Sequence, residues 1–107
     1  MTRETTLRER LALRLPDLVV DLYLYPTEAG GRKGAITLGW GCPCSKDDRL
    51  EEGWDGYPLL QSEMTPGERR RLGFVFLSGA EAVLALRSCE RFYLWEGRFI
   101  GEAEIVL

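Results

Sequence analysis

The chain has 107 residues, 45% of them hydrophobic and 29% charged, with a net charge of −3. This length and mixture fit one globular domain and exclude a disordered or fibrous chain. The acid excess argues against general attraction to nucleic acid and leaves that role only to a local basic patch.

No apolar run approaches the roughly 18–20 residues a membrane helix requires, and the N-terminus lacks the apolar stretch of a signal peptide. Three cysteines are an odd number, which suits reduced thiols better than a disulfide framework. The expected location is the cytoplasm.

Residues 1–16 read as an extension with helical character. Leu7, Leu11 and Leu15 recur every four residues on one stripe, with Glu4, Arg8 and Arg14 off it. Pro16 ends the pattern, because the residue before a proline avoids the helical region. A single domain is expected over 17–107.

Leu18 to Tyr25 reads as the first strand, with Val20, Leu22 and Leu24 on one face and Asp21, Tyr23 and Tyr25 on the other. Pro26 ends it, and a glycine-rich basic loop follows from Thr27 to Gly34. Ala35 to Leu38 is expected as a brief second strand, and Gly39 to Cys44 as a turn. Ser45 to Gly53 reads as an exposed loop.

Trp54 to Gln61 is expected as a third strand, with Pro58 at an edge or bulge. Thr65-Pro66-Gly67-Glu68 carries the signature of a type II turn. Leu72 to Leu77 is a strand with Leu72, Phe74 and Phe76 on one face. Ser78 and Glu81 have capping-box spacing, and a short helix is expected near 79–87.

The last stretch is the strongest signal. Two apolar runs flank Glu96-Gly97-Arg98, as in a β-hairpin with a glycine at its tip. Phe92 and Leu94 point one way, Tyr93 and Trp95 the other. On the return strand the small residues Gly101 and Ala103 leave room for a bulky neighbour. A terminal strand of this kind must be paired on both sides or covered. Five or six short strands punctuated by turns predict a closed all-β domain.

The landmarks in order are a strand ending near Tyr25, Glu28-x-Gly30-Gly31-Arg32, Gly39-Trp40, Pro66-Gly67-Glu68, and Phe92-x-Leu94-x-Glu96-Gly97-Arg98-x-Ile100-Gly101. This order resembles the C-terminal (third) domain of elongation factor Tu, over roughly Leu18 to Val106. The family's histidine after Gly-Gly-Arg is Lys33 here, and its Gly-Tyr-Arg-Pro turn is Gly39-Trp40-Gly41-Cys42-Pro43.

The chain has no Gly-x-x-x-x-Gly-Lys-Ser/Thr loop, so the resemblance is to a domain alone, with no nucleotide expected. It implies a six-stranded antiparallel Greek-key β-barrel of the translation-factor type. It also implies that Gly30, Gly31, Arg32, Lys33 and Gly97 are the positions that would lie near a tRNA backbone.

Chemistry-bearing residues are few. Gly30 to Gly34 could hold a phosphate on backbone N–H groups and two cations, or could be a tight turn with solvated charges. Cys42, Cys44 and Cys89 could make a thiol metal site, a redox pair or idle thiols. Glu51, Glu52, Asp47, Asp48 and Asp55 read as a solvated acidic loop. There is no histidine to act as a base near neutral pH.

Tyr23, Tyr25, Tyr93 and Trp95, fringed by Arg91 and Arg98, would form an outer aromatic surface if their strands are neighbours, unless the N-terminal helix covers it. The expectation is a non-catalytic module without cofactor or membrane anchorage. Its ligand would be another protein, with RNA binding through Arg32, Lys33 and Arg98 as the alternative and a thiol metal site as the third.

Overall fold

The computed structural model of the protein describes residues 3–13, 15–49 and 52–106. Alternation builds most of its strands. In β1 (Leu18–Leu24) the alternate residues Leu18, Val20, Leu22 and Leu24 are buried, and the residues between them are half-buried. The other strands are β2 (Cys42–Ser45), β3 (Gly53–Pro58), β4 (Arg69–Phe76), β5 (Arg91–Trp95) and β6 (Phe99–Ile105).

They close into an antiparallel barrel in the order β1-β4-β3-β2-β5-β6, with β6 returning to β1. Strands β2, β3 and β4 are consecutive neighbours and β1 lies beside β4, which is a Greek key. The terminal strand β6 is paired on both sides, so it presents no open edge. A Cβ on Gly101 would meet the Tyr23 carbonyl oxygen at 2.7 Å, so the bulky neighbour of the small residues in β6 is β1 itself.

The barrel is filled from inward positions of every strand. Phe74, Phe76 and Phe92 meet with ring centroids 5.3–5.8 Å apart, two of the three pairs edge to face. Each fully buried side chain of this size contributes about 1.5–3 kcal/mol through removal from water.

Outside the barrel, α1 (Arg3–Leu13) rests on a second cluster, where Leu7 is 2% exposed against Tyr57, Leu59 and Val75. Arg10 ties the end of α1 to β1, donating to the Leu15 carbonyl and pairing with Asp17 at 3.1 Å. Asp17 in turn accepts from the Phe76 backbone N–H.

Five expectations change. The second strand is Cys42–Ser45, not 35–38: Ile36 makes only an isolated two-hydrogen-bond bridge to Met64. Pairing with β3 and β5 overrides the turn character of Cys42-Pro43-Cys44, with both cysteines facing inward. The third strand ends at the buried Pro58 rather than at Gln61, with one further hydrogen bond to β4 from Leu59 N–H to the Gly73 carbonyl at 2.8 Å.

The capping box does not form. The short helix α2 (Ala80–Arg87) has Gly79 as its N-cap, at φ +56°, with no side-chain cap bond. The turn that redirects β4 needs that glycine one place too late for Ser78 to cap. Finally, the leucine stripe is broken: Leu15 lies beyond α1 and is exposed. Glu4, Leu11 and Arg14 have side chains outside the described residues, as does Glu51.

The turn at 65–68 is as read: Glu68 N–H donates to the Thr65 carbonyl, with Gly67 at φ +91°.

Candidate binding face

The outward residues of β1, β6 and β5 form one surface. Strands β1 and β5 are not neighbours; β6 lies between them and carries Glu102 into register with both Tyr23 and Tyr93. The aromatic residues therefore flank a carboxylate rather than each other. Glu102 is held from two sides: Tyr25 OH donates to its Oε1 at 3.1 Å, and Arg91 pairs with its Oε2. Arg91 also reaches Glu104 at 3.4 Å. Burial pushes the Tyr25 phenol above its ordinary value, with a further upward push from Tyr93 across the same patch.

Rings extend from this centre in both directions. Tyr23 and Tyr25 meet edge to face at 5.6 Å, and the Arg69 guanidinium lies 4.2 Å from the Tyr23 ring centroid. On the other side Phe99 meets Tyr93 at 5.9 Å and Trp95 at 5.0 Å. Phe99 was missed as a site residue. A register shift between Leu94 and Trp95 brings it opposite Trp95, and the signal available in the sequence was its place beside the hairpin tip. All five rings are half-buried. The helix α1 does not cover them, since its buried Leu7 sits on Tyr57, Leu59 and Val75.

The Gly-Gly-Arg loop meets the hairpin tip at one end of the barrel. Gly31 passes so close to the chain that a Cβ there would lie 2.0 Å from the Tyr25 carbonyl oxygen, which leaves glycine as the residue that fits. Gly30 adopts φ +95° and Gly97 φ +74°, conformations that favour glycine.

Arg32 pairs with Glu96 at 3.0 Å and donates to the carbonyls of Gly34 and Ala35. Its guanidinium lies 5.3 Å from the Trp40 ring, and Trp40 Nε1 donates to the second oxygen of Glu96 at 2.9 Å. The loop, the Gly39-Trp40 turn and the hairpin tip are thus locked into one cluster. Most of the donors of Arg32 are used inside it. The side chains of Lys33 and Arg98 are exposed and make no hydrogen bond or ion pair among the described residues.

The thiols lie elsewhere. Cys42 and Cys44 are buried in the barrel, and burial pushes the Cys44 thiol well up, away from the reactive thiolate. Cys89 does not join them: among the described residues no three His, Cys, Asp or Glu side chains are grouped to hold a metal ion. Among those residues no helix is long and apolar enough to cross a membrane. No protein-family model matches the chain, and no curated protein sequence matches it.

Proposed function

We propose that this chain is a non-catalytic binding module whose ligand is another protein, docked on the outer face of β1, β6 and β5. The observation that carries this reading is the tract of Tyr23, Tyr25, Tyr93, Trp95 and Phe99 around the bonded Glu102–Arg91 centre. Aromatic and arginine side chains dominate the energetics of protein interfaces. Here they are fixed in place before any partner arrives, which lowers the ordering cost of association. Glu102 already has its partners, so a ligand need not supply a cation to cover it.

The order of landmarks shared with the third domain of elongation factor Tu supports a cytoplasmic role near translation. RNA is the second reading, favoured by Lys33 and Arg98, whose charges have no acidic partner among the described residues. The commitment of Arg32 to Glu96 and the net charge of −3 weigh against it.

The test is capture from a native lysate with the wild-type chain, a Tyr93→Ala/Trp95→Ala variant and a Lys33→Ala/Arg98→Ala variant. The protein reading expects a stoichiometric polypeptide partner that the first variant loses and the second keeps. RNA recovered with the wild type, lost in the second variant and falling steeply with salt, would replace it.

A further inference from the structure

A cleft lies where β3 begins and β4 turns into α2. Gly53, Trp54, Asp55, Leu77, Ser78 and Glu81 line an open cleft of about 300 Å³. Its position follows from the backbone: Leu77 N–H donates to the Asp55 carbonyl at 2.9 Å, one step past the end of β4. Trp54 belongs to the barrel core and is 9% exposed, so it gives the cleft a fixed wall.

Leu77 is 72% exposed and Leu84, on α2, is 78% exposed. They are the most exposed of the large hydrophobic residues described. An aliphatic side chain held in water beside an indole is the apolar centre that an interface buries.

The rim is acidic and open. The carboxylates of Asp55 and Glu81 make no hydrogen bond or ion pair among the described residues. Glu81 stands in the first turn of α2, where it offsets the positive end of the helix and leaves Asp55 to set the sign of the mouth. The segment leading into β3 adds to that sign: Asp47, Asp48 and Glu52 outnumber Lys46 and Arg49.

We propose that this cleft receives a cationic amphipathic segment of a protein partner, with its apolar side chain on Leu77 and Trp54 and a neighbouring lysine or arginine against Asp55 and Glu81. The argument is charge complementarity around an exposed apolar centre. A segment is favoured over a small amine because the cleft is shallow and Leu77 stands exposed in its wall. The site uses none of the rings of the β1–β6–β5 face, so it stands whether or not that face docks a protein.

The experiment uses the full chain and two fluorescein-labelled 14-residue peptides, one an amphipathic sequence of leucine and lysine, the other its leucine and glutamate counterpart. Binding is followed by fluorescence anisotropy at low and physiological salt. The lysine peptide should bind the wild type, more weakly as salt screens the rim.

Leu77→Ser should weaken it about tenfold, and Asp55→Lys/Glu81→Lys should reverse the preference toward the glutamate peptide. Tyr93→Ala/Trp95→Ala should bind as the wild type does. Thermal melts of the exposed-residue variants confirm that they fold. No binding by the wild type, equal binding by all variants, or loss only with Tyr93→Ala/Trp95→Ala would each overturn the proposal.

Discussion

On the β1–β6–β5 face Glu102 is bound by Arg91 and Tyr25, Asp21 by Arg71 and Glu104 by Arg91. In the Trp54–Leu77 cleft the carboxylates of Asp55 and Glu81 have no partner among the described residues. The two regions therefore offer different things to a ligand. The face has satisfied its charges and presents rings, so the docking proposed there would draw on packing and depend little on salt. The cleft presents a field and an exposed leucine, so the cationic segment proposed for it would be steered by charge and held more weakly as ionic strength rises. A small barrel can carry both because its strands fix the positions of outward side chains on all sides.

The largest effect is expected from removing the rings. Tyr93→Ala with Trp95→Ala should reduce partner capture by more than about tenfold, the loss typical of central aromatic anchors. Because both rings are half-buried, unfolding in urea should show a cost of about 1–2 kcal/mol for the pair. Capture unchanged by the double substitution would move the interface elsewhere.

Next in size is Glu102→Ala, which leaves Arg91 and Tyr25 without their shared acceptor. It should destabilise the fold by about 1 kcal/mol and weaken capture, since the rings lose the group that orders them. A neutral result in both measurements would mean that the Glu102 network does not organise the face.

Asp55→Lys with Glu81→Lys should do the converse. Stability should fall by no more than about 1 kcal/mol, because both side chains are exposed and the main loss is the favourable place of Glu81 at the positive end of α2. Capture through the aromatic face should be unaffected, and a large loss of stability would show that these carboxylates have structural partners.

The smallest effect is on acid stability. The hydrogen bonds and charge of Arg71 hold the Asp21 carboxyl below its ordinary value near 3.8. A depressed folded value means that the stabilisation is present above that ordinary value and is lost as pH falls through the lower one. Melts of wild type and Asp21→Asn should therefore differ slightly at neutral pH and converge at the acidic end. A difference that grows with acidity would reverse the sign.

How far these regions could be read in the sequence follows from the range of the interactions that make them. Alternation in Leu18–Leu24, Leu72–Phe76 and the final hairpin is local, and it correctly separated inward Phe92 and Leu94 from outward Tyr93 and Trp95. Strand β2 was not legible, because Cys42-Pro43-Cys44 resembles a turn by local preference and becomes a strand only by pairing with β3 and β5.

The aromatic face was legible as a set of side chains but not as an arrangement. Nothing local says that β6 enters between β1 and β5, or that Glu102 becomes the hub. The Arg32–Glu96 pair joins residues 64 apart, so the locking of the Gly-Gly-Arg loop to the hairpin tip belongs to the tertiary fold. The cleft was missed because Leu77 reads as the last apolar residue of a strand, whereas the turn at Ser78 and Gly79 leaves it facing water.

The most direct measurement is hydroxyl-radical footprinting of aromatic side chains, comparing the purified chain with the same chain incubated in native lysate and recovered. The proposed docking mode predicts that Tyr23, Tyr25, Tyr93, Trp95 and Phe99 lose reactivity together in the lysate, while the buried Phe74 and Phe92 stay unreactive in both. Equal labelling of those five rings with and without lysate would contradict it.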